Sequence, residues 1–165
     1  MKKLLFVVYC FLFLCFQEKK NREARLDYFV GKWEIKQWNG TDTQQKPDIV
    51  ATWFVDKDPD VTGNYKGYVQ LGSNVHTSET ISWNKKDAIY ARTISVSNGT
   101  KINLKTIGWV NDKLTWAGTQ NDGSDNTGLK EEIVIKDSDN FKAVFYEEQA
   151  GKWILTQTEL LTRIN

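Results

Sequence analysis

The sequence predicts an all-β fold: a single antiparallel up-and-down barrel of eight to ten strands, with a short helical turn before the first. Three observations carry that reading. About ten short runs between residues 31 and 163 alternate apolar and polar side chains, the period-two signature of a half-buried strand. Turn residues divide these runs at intervals of roughly 8 to 12 residues, the rhythm of an antiparallel barrel or sandwich. No helix-period segment is long enough to serve as a crossover, which excludes a parallel sheet.

In chain order, Leu26, Phe29 and Val30 recur at helical spacing within residues 24–30 and predict one helical turn before Gly31. The first strand is 32–38. A polar link, 40–48, separates it from the second, 49–55. Strands at 64–71, 76–83 and 88–96 follow. Asn98-Gly99 then suits a tight hairpin with positive φ at both central positions. The next run is 101–109, and Asn111-Asp112 reverses the chain into 113–119. A second long link, 120–128, contains NDGSDNTG and leads to 129–136. Reversals at 137–140 and Ala150-Gly151 introduce the last two strands, 141–148 and 152–161. The links 40–48 and 120–128 are expected at the barrel rim, where long loops often bound a cavity mouth.

Composition narrows the class. Seven Trp and 13% aromatic residues are too much bulky apolar matter for a disordered chain. Residues 4–16, LLFVVYCFLFLCF, follow Lys2 and Lys3 in the layout of an export signal. They fall short of the roughly 20 residues that span a bilayer. The expected organisation is a signal peptide at 1–16, a polar segment at 17–23 and a barrel domain at 24–165, secreted or periplasmic, with no membrane span after processing. Both cysteines, Cys10 and Cys15, lie in the leader, so the mature domain would hold no thiol. Cys15 is also a candidate for lipid attachment, which would make the protein a membrane lipoprotein. The formal charge is +1, and losing Lys2 and Lys3 takes it to −1 (+1 − 2). No basic stripe exists to follow a phosphate backbone, so nucleic acid is not an expected partner.

Face parity locates polar groups inside. In 129–135 the apolar set Leu129, Ile133 and Ile135 draws Glu131 to the same side. In 88–96, Tyr90, Ile94 and Val96 bring Arg92 inward. In the last run, Trp153, Leu155 and Leu161 bring Gln157 and Glu159. A solid core tolerates such charges poorly, because an unpaired buried charge costs several kcal/mol. A wet interior, or an internal Arg–Glu pair, is the expectation.

Gly31-Lys32-Trp33, following the turn that begins at Leu26, resembles the Gly-x-Trp opening motif of the lipocalin-like, or calycin, barrels. The chain looks most like their small secreted bacterial members. The resemblance implies that Trp33, with Gly31, closes the barrel floor beneath the first strand. It also implies that Arg163 packs its guanidinium across the indole, a contact of about 1 kcal/mol when partly screened. The loop motifs and disulfides of animal lipocalins have no counterpart here, so hormone, odorant or retinoid binding is not implied. Haem-binding relatives hold iron through a histidine near the chain end. The only histidine here is His76, in a middle strand, so neither haem nor another cofactor is expected.

Other constellations have plain readings. Asp56, Asp58 and Asp60 in VDKDPDVTG lack the glycine and closing glutamate of a calcium loop and read as a solvated rim; Asp122 and Asp125 read the same way. One His and no mature Cys argue against a transition-metal site. Glu131 with Glu147 or Glu159 could form paired carboxylates, or stand simply as strand acids. Arg92 with Tyr90 and Trp53 or Trp116 would give an aromatic wall with one cation, suited to an anionic amphiphile.

The leading expectation is non-covalent binding of a small apolar or amphipathic molecule, with Trp53, Tyr90, Arg92, Trp116, Glu131 and Tyr146 lining the cavity. Two alternatives remain open. One is a small isomerase or hydrolase with Glu131 or Glu147 as base and Arg92 as anion stabiliser. The other is a non-catalytic envelope protein with a filled core. A binder predicts a hollow barrel, an enzyme an acid, base and anion donor about one point, and a structural protein a solid core.

Overall fold

The computed structural model describes residues 26–123 and 125–165. The expected signal peptide, the polar segment and both cysteines lie outside the described residues. A 3₁₀ turn, Asp27–Phe29, stands where the helical turn is expected. The strands that follow are β1 (Gly31–Asn39), β2 (Ile49–Lys57), β3 (Tyr65–Leu71), β4 (Asn74–Asn84), β5 (Ile89–Val96), β6 (Lys101–Thr106), β7 (Trp109–Val110), β8 (Lys113–Asn121), β9 (Asn126–Ile135), β10 (Asn140–Gln149) and β11 (Lys152–Arg163).

Every pairing among them is antiparallel. Neighbours in sequence are neighbours in space, β6 pairs with β8, and β11 returns to β1, so the sheet closes. β6 and β7 are two pieces of the single run expected at 101–109, and both lie against β8. Between them Gly108 takes a φ of 96°, and its N–H donates to Thr106 Oγ1. The result is a closed up-and-down barrel of ten staves, its closure made by the β1–β11 and β6–β8 pairings.

Both long links differ from expectation. The β8–β9 ladder runs on to Asn121 opposite Asn126, whose side chains bond to each other at 2.9 Å. Little of 120–128 is therefore loop: at the rim both strand faces are polar, and no alternation marks the strand. The 40–48 link folds against the outer wall, where Gln45 O accepts the indole N–H of outward-facing, buried Trp38 at 2.9 Å. That link adds no side chain to the cavity described below.

Parity in the last strand also shifts. Phe145 pairs with Gln157 but Tyr146 with Leu155, so β11 carries an extra residue, Thr156. Such a bulge exchanges inside for outside. Gln157, Glu159 and Leu161 face inward, whereas Trp153 is on the outer surface, 43% exposed. Trp153 joins Tyr146 around Lys130, whose ammonium lies 5.5 Å from the Trp153 ring and 4.2 Å from the Tyr146 ring.

One end of the barrel is solid. Phe29 inserts from the 3₁₀ turn, stacks on Trp109 at 6.0 Å and meets Phe141 edge-on at 5.3 Å. Trp33 is fully buried against Phe141, and its indole N–H donates to Phe29 O at 2.8 Å. Arg163 lies 4.2 Å from the Trp33 ring centre and donates to Val30 O and Tyr28 O, which ties the chain end to the turn. Gly31 has a φ of 129°, and a Cβ there would come within 2.7 Å of the Arg163 guanidinium. These contacts seal the floor.

Candidate binding cavity

Above the sealed floor the lumen opens into a cavity of about 370 Å³. Its walls are aliphatic: Ile35, Ala51, Val69, Ile94, Ile102, Leu129 and Ile133, with Phe145. Gln37, His76, Gln120, Glu147 and Thr156 are its polar groups toward the strand ends, and Glu79, Arg92, Glu131 and Glu159 are its charged groups further in. The inward positions of the same strands that carry Trp and Phe at the floor carry mid-sized side chains here, and space is left over.

Between plug and cavity lies a charged layer. Arg92 on β5 donates through Nε to Glu79 of β4 and through Nη1 to Glu131 of β9, each at 2.6 Å. The second bond crosses the lumen, because three pairings separate β5 from β9 around the sheet. The guanidinium carbon sits 5.9 Å from the Trp53 ring and 5.8 Å from that of Trp116. Glu79 also accepts the Trp53 indole N–H at 2.5 Å. Gly67 of β3, opposite Glu79 in the ladder, makes room for this carboxylate: a Cβ there would lie 2.6 Å from its Oε1. Trp53 is thus the boundary, with Phe29 on the plug side and Arg92 on the cavity side.

Burial opposes charge on Arg92, but Glu131 and Glu79 outweigh it and raise the guanidinium's pKa. Burial, against the pull of Arg92, raises that of Glu131. A buried network of this kind adds little net stability, yet removing one partner strands the others at a cost of roughly 3–5 kcal/mol. Glu159, on β11, is a different case. Burial first, then the Glu131 charge, pushes its carboxyl up to about 8, although Gln157 donates to it at 2.6 Å. The surface Glu159 retains faces the cavity, and no arginine or lysine side chain bonds to it among the described residues.

Of the residues the sequence brings forward as lining, Trp53, Arg92 and Glu131 meet at the cavity floor. Tyr90 and Trp116 point into the barrel but are fully buried, and neither borders the cavity. Tyr146 stands on the outer wall over Lys130, because the inward positions of β10 are Phe141, Ala143, Phe145 and Glu147, and Tyr146 falls on the opposite face. Glu79 is the participant the sequence reading omits. The parity argument applied to β4 finds it, since Ile81 and Trp83 draw Glu79 to their side. Arg92 and its aromatic neighbours do converge, but two carboxylates already occupy the cation. His76 lies at the mouth, with Nδ1 3.4 Å from the Ser97 hydroxyl. Asp58 bridges Lys66 at 3.1 Å and accepts the Asp60 N–H, a role within its own turn.

No protein-family model matches the chain, and a search of curated protein sequences finds no significant relative. No helix among the described residues is long and apolar enough to cross a membrane.

Proposed function

We propose that this chain is an exported, lipocalin-like binding protein that holds a small apolar or amphipathic molecule in its barrel. One observation carries the reading: a cavity of about 370 Å³ with aliphatic walls above a floor sealed by aromatic rings. Cavities of this size and character suit small organic ligands. The Trp33–Arg163 stack beside Gly31 supports the likeness to lipocalin-type barrels. Arg92, Glu79 and Glu131 satisfy one another, so the point where an enzyme would seat a reacting atom is filled by its own side chains. That favours storage or carriage over turnover.

The test uses N-phenyl-1-naphthylamine, a neutral probe that fluoresces in apolar surroundings. Saturable one-to-one binding that Ile94→Trp abolishes supports the reading; no binding, or binding that Ile94→Trp leaves intact, contradicts it. Sequencing the amino terminus of protein taken from its source tests export.

The Glu159 carboxyl favours a second reading, since an acid held up to about 8 in a cavity is poised for general acid chemistry near neutral pH. Conversion of a bound guest, lost in Glu159→Gln, would establish it.

A further inference from the structure

If the cavity is a binding site, as proposed above, its charges narrow the chemistry of the guest. Among the described residues, Arg92 is the only lysine or arginine that lines it, while four glutamates do: Glu79, Glu131, Glu147 and Glu159. Glu79 and Glu131 hold Arg92 at 2.6 Å each. An incoming carboxylate would meet a guanidinium already neutralised and flanked by two anions. The lumen that parity presents as a cation site is therefore acidic.

Glu159 supplies the point of attachment. One of its oxygens, Oε1, accepts from Gln157; the other makes no hydrogen bond or ion pair to a described residue, and the side chain lines the cavity. Gln37 stands opposite Glu159 in the β1–β11 ladder and lines the same space, so its amide oxygen offers a second acceptor. An ammonium carries three donors and no acceptor, which matches such a set. Ile94, Ile102, Leu129 and Phe145 leave an apolar volume for the rest of the molecule.

We propose that the cavity binds a protonated organic amine, its ammonium on the open oxygen of Glu159 and its apolar body along the aliphatic wall. The charge balance is simple. Without a guest, Glu159 is largely protonated near neutral pH, held so by burial and the Glu131 charge. An entering ammonium pairs with the carboxylate, and the carboxyl proton leaves to solvent. The groups that set this balance are Glu131 from β9, Arg92 from β5, Glu79 from β4 and Gln157 beside Glu159 on β11.

The experiment compares decylamine, decanol and decanoate by calorimetric titration at pH 7, below their micellar concentrations, in two buffers of different ionisation heat. The three probes share a chain and differ in head group. Decylamine is expected to bind about tenfold or more tighter than decanol, the worth of one charge-assisted hydrogen bond. Decanoate is expected to bind weakest. Amine binding should release close to one proton, and decanol binding none. Glu159→Gln should erase the amine preference and the proton release. Equal binding of all three, tighter binding of decanoate, or an amine preference that survives Glu159→Gln overturns the amine assignment and leaves the cavity standing. Failure of all three to bind overturns the binding reading as well.

Discussion

At one end of the barrel, Phe29, Trp33, Trp53, Trp109 and Phe141 fill the lumen ring against ring; at the other, Gln37, Ala51, Ile94, Ile102 and Gln157 leave it open. Both ends come from the same antiparallel strands with the same alternation. What differs is the bulk of the inward side chains. A ten-stave barrel is wider than an eight-stave one, so only large aromatics close it. The Arg92 layer separates the two regimes and ties β5 to β9 across the gap. Packing stabilises the closed end, whereas the open end gives up contacts to keep a chamber.

Substitutions at each level sharpen this contrast. Trp33→Ala should cost the most, about 4 kcal/mol in urea unfolding, because it empties a fully buried site and removes the indole on which Arg163 packs. Arg92→Leu should cost about 3 kcal/mol, since Glu79 and Glu131 remain buried without a cation; adding Glu79→Gln and Glu131→Gln should restore much of that loss. A triple variant no more stable than Arg92→Leu would show that the guanidinium acts through packing and not through charge. In the open half, Ile94→Ala should cost about 1 kcal/mol or less, because part of that side chain already faces empty space. A loss as large as that of Trp33→Ala would mean the two halves are equally packed.

A further effect is on pH dependence. Folded Glu159 holds its proton up to about 8, whereas the unfolded chain releases it near 4.5. Its contribution to stability is whole below about 4.5 and is lost as pH rises toward 8. Urea midpoints should therefore fall more between pH 5 and pH 8.5 for the parent protein than for Glu159→Gln. Parallel profiles would contradict the assignment.

Much of this arrangement is legible in the sequence. The ten runs correspond to the ten staves, and parity alone turns Arg92 and Glu131 inward, where they pair. The same logic, extended to Ile81 and Trp83, reaches Glu79. Height along the barrel is not legible: a period of two tells which face a side chain takes, but strand stagger sets its depth. Tyr90 and Trp116 thus fall below the cavity although they point inward. The Thr156 bulge has no sequence mark either, and it is what puts Trp153 outside.

Isoleucine methyl groups are spread over every region, so one NMR titration with N-phenyl-1-naphthylamine tests the account most directly. Ile94 and Ile102 line the chamber, Ile81 is buried outside it, and Ile107 is 58% exposed on the surface. Saturable shifts at Ile94 and Ile102, with Ile81 and Ile107 unmoved, are the predicted result. Shifts led by Ile107, or none at Ile94 and Ile102 while the probe binds, would contradict a guest seated in the barrel.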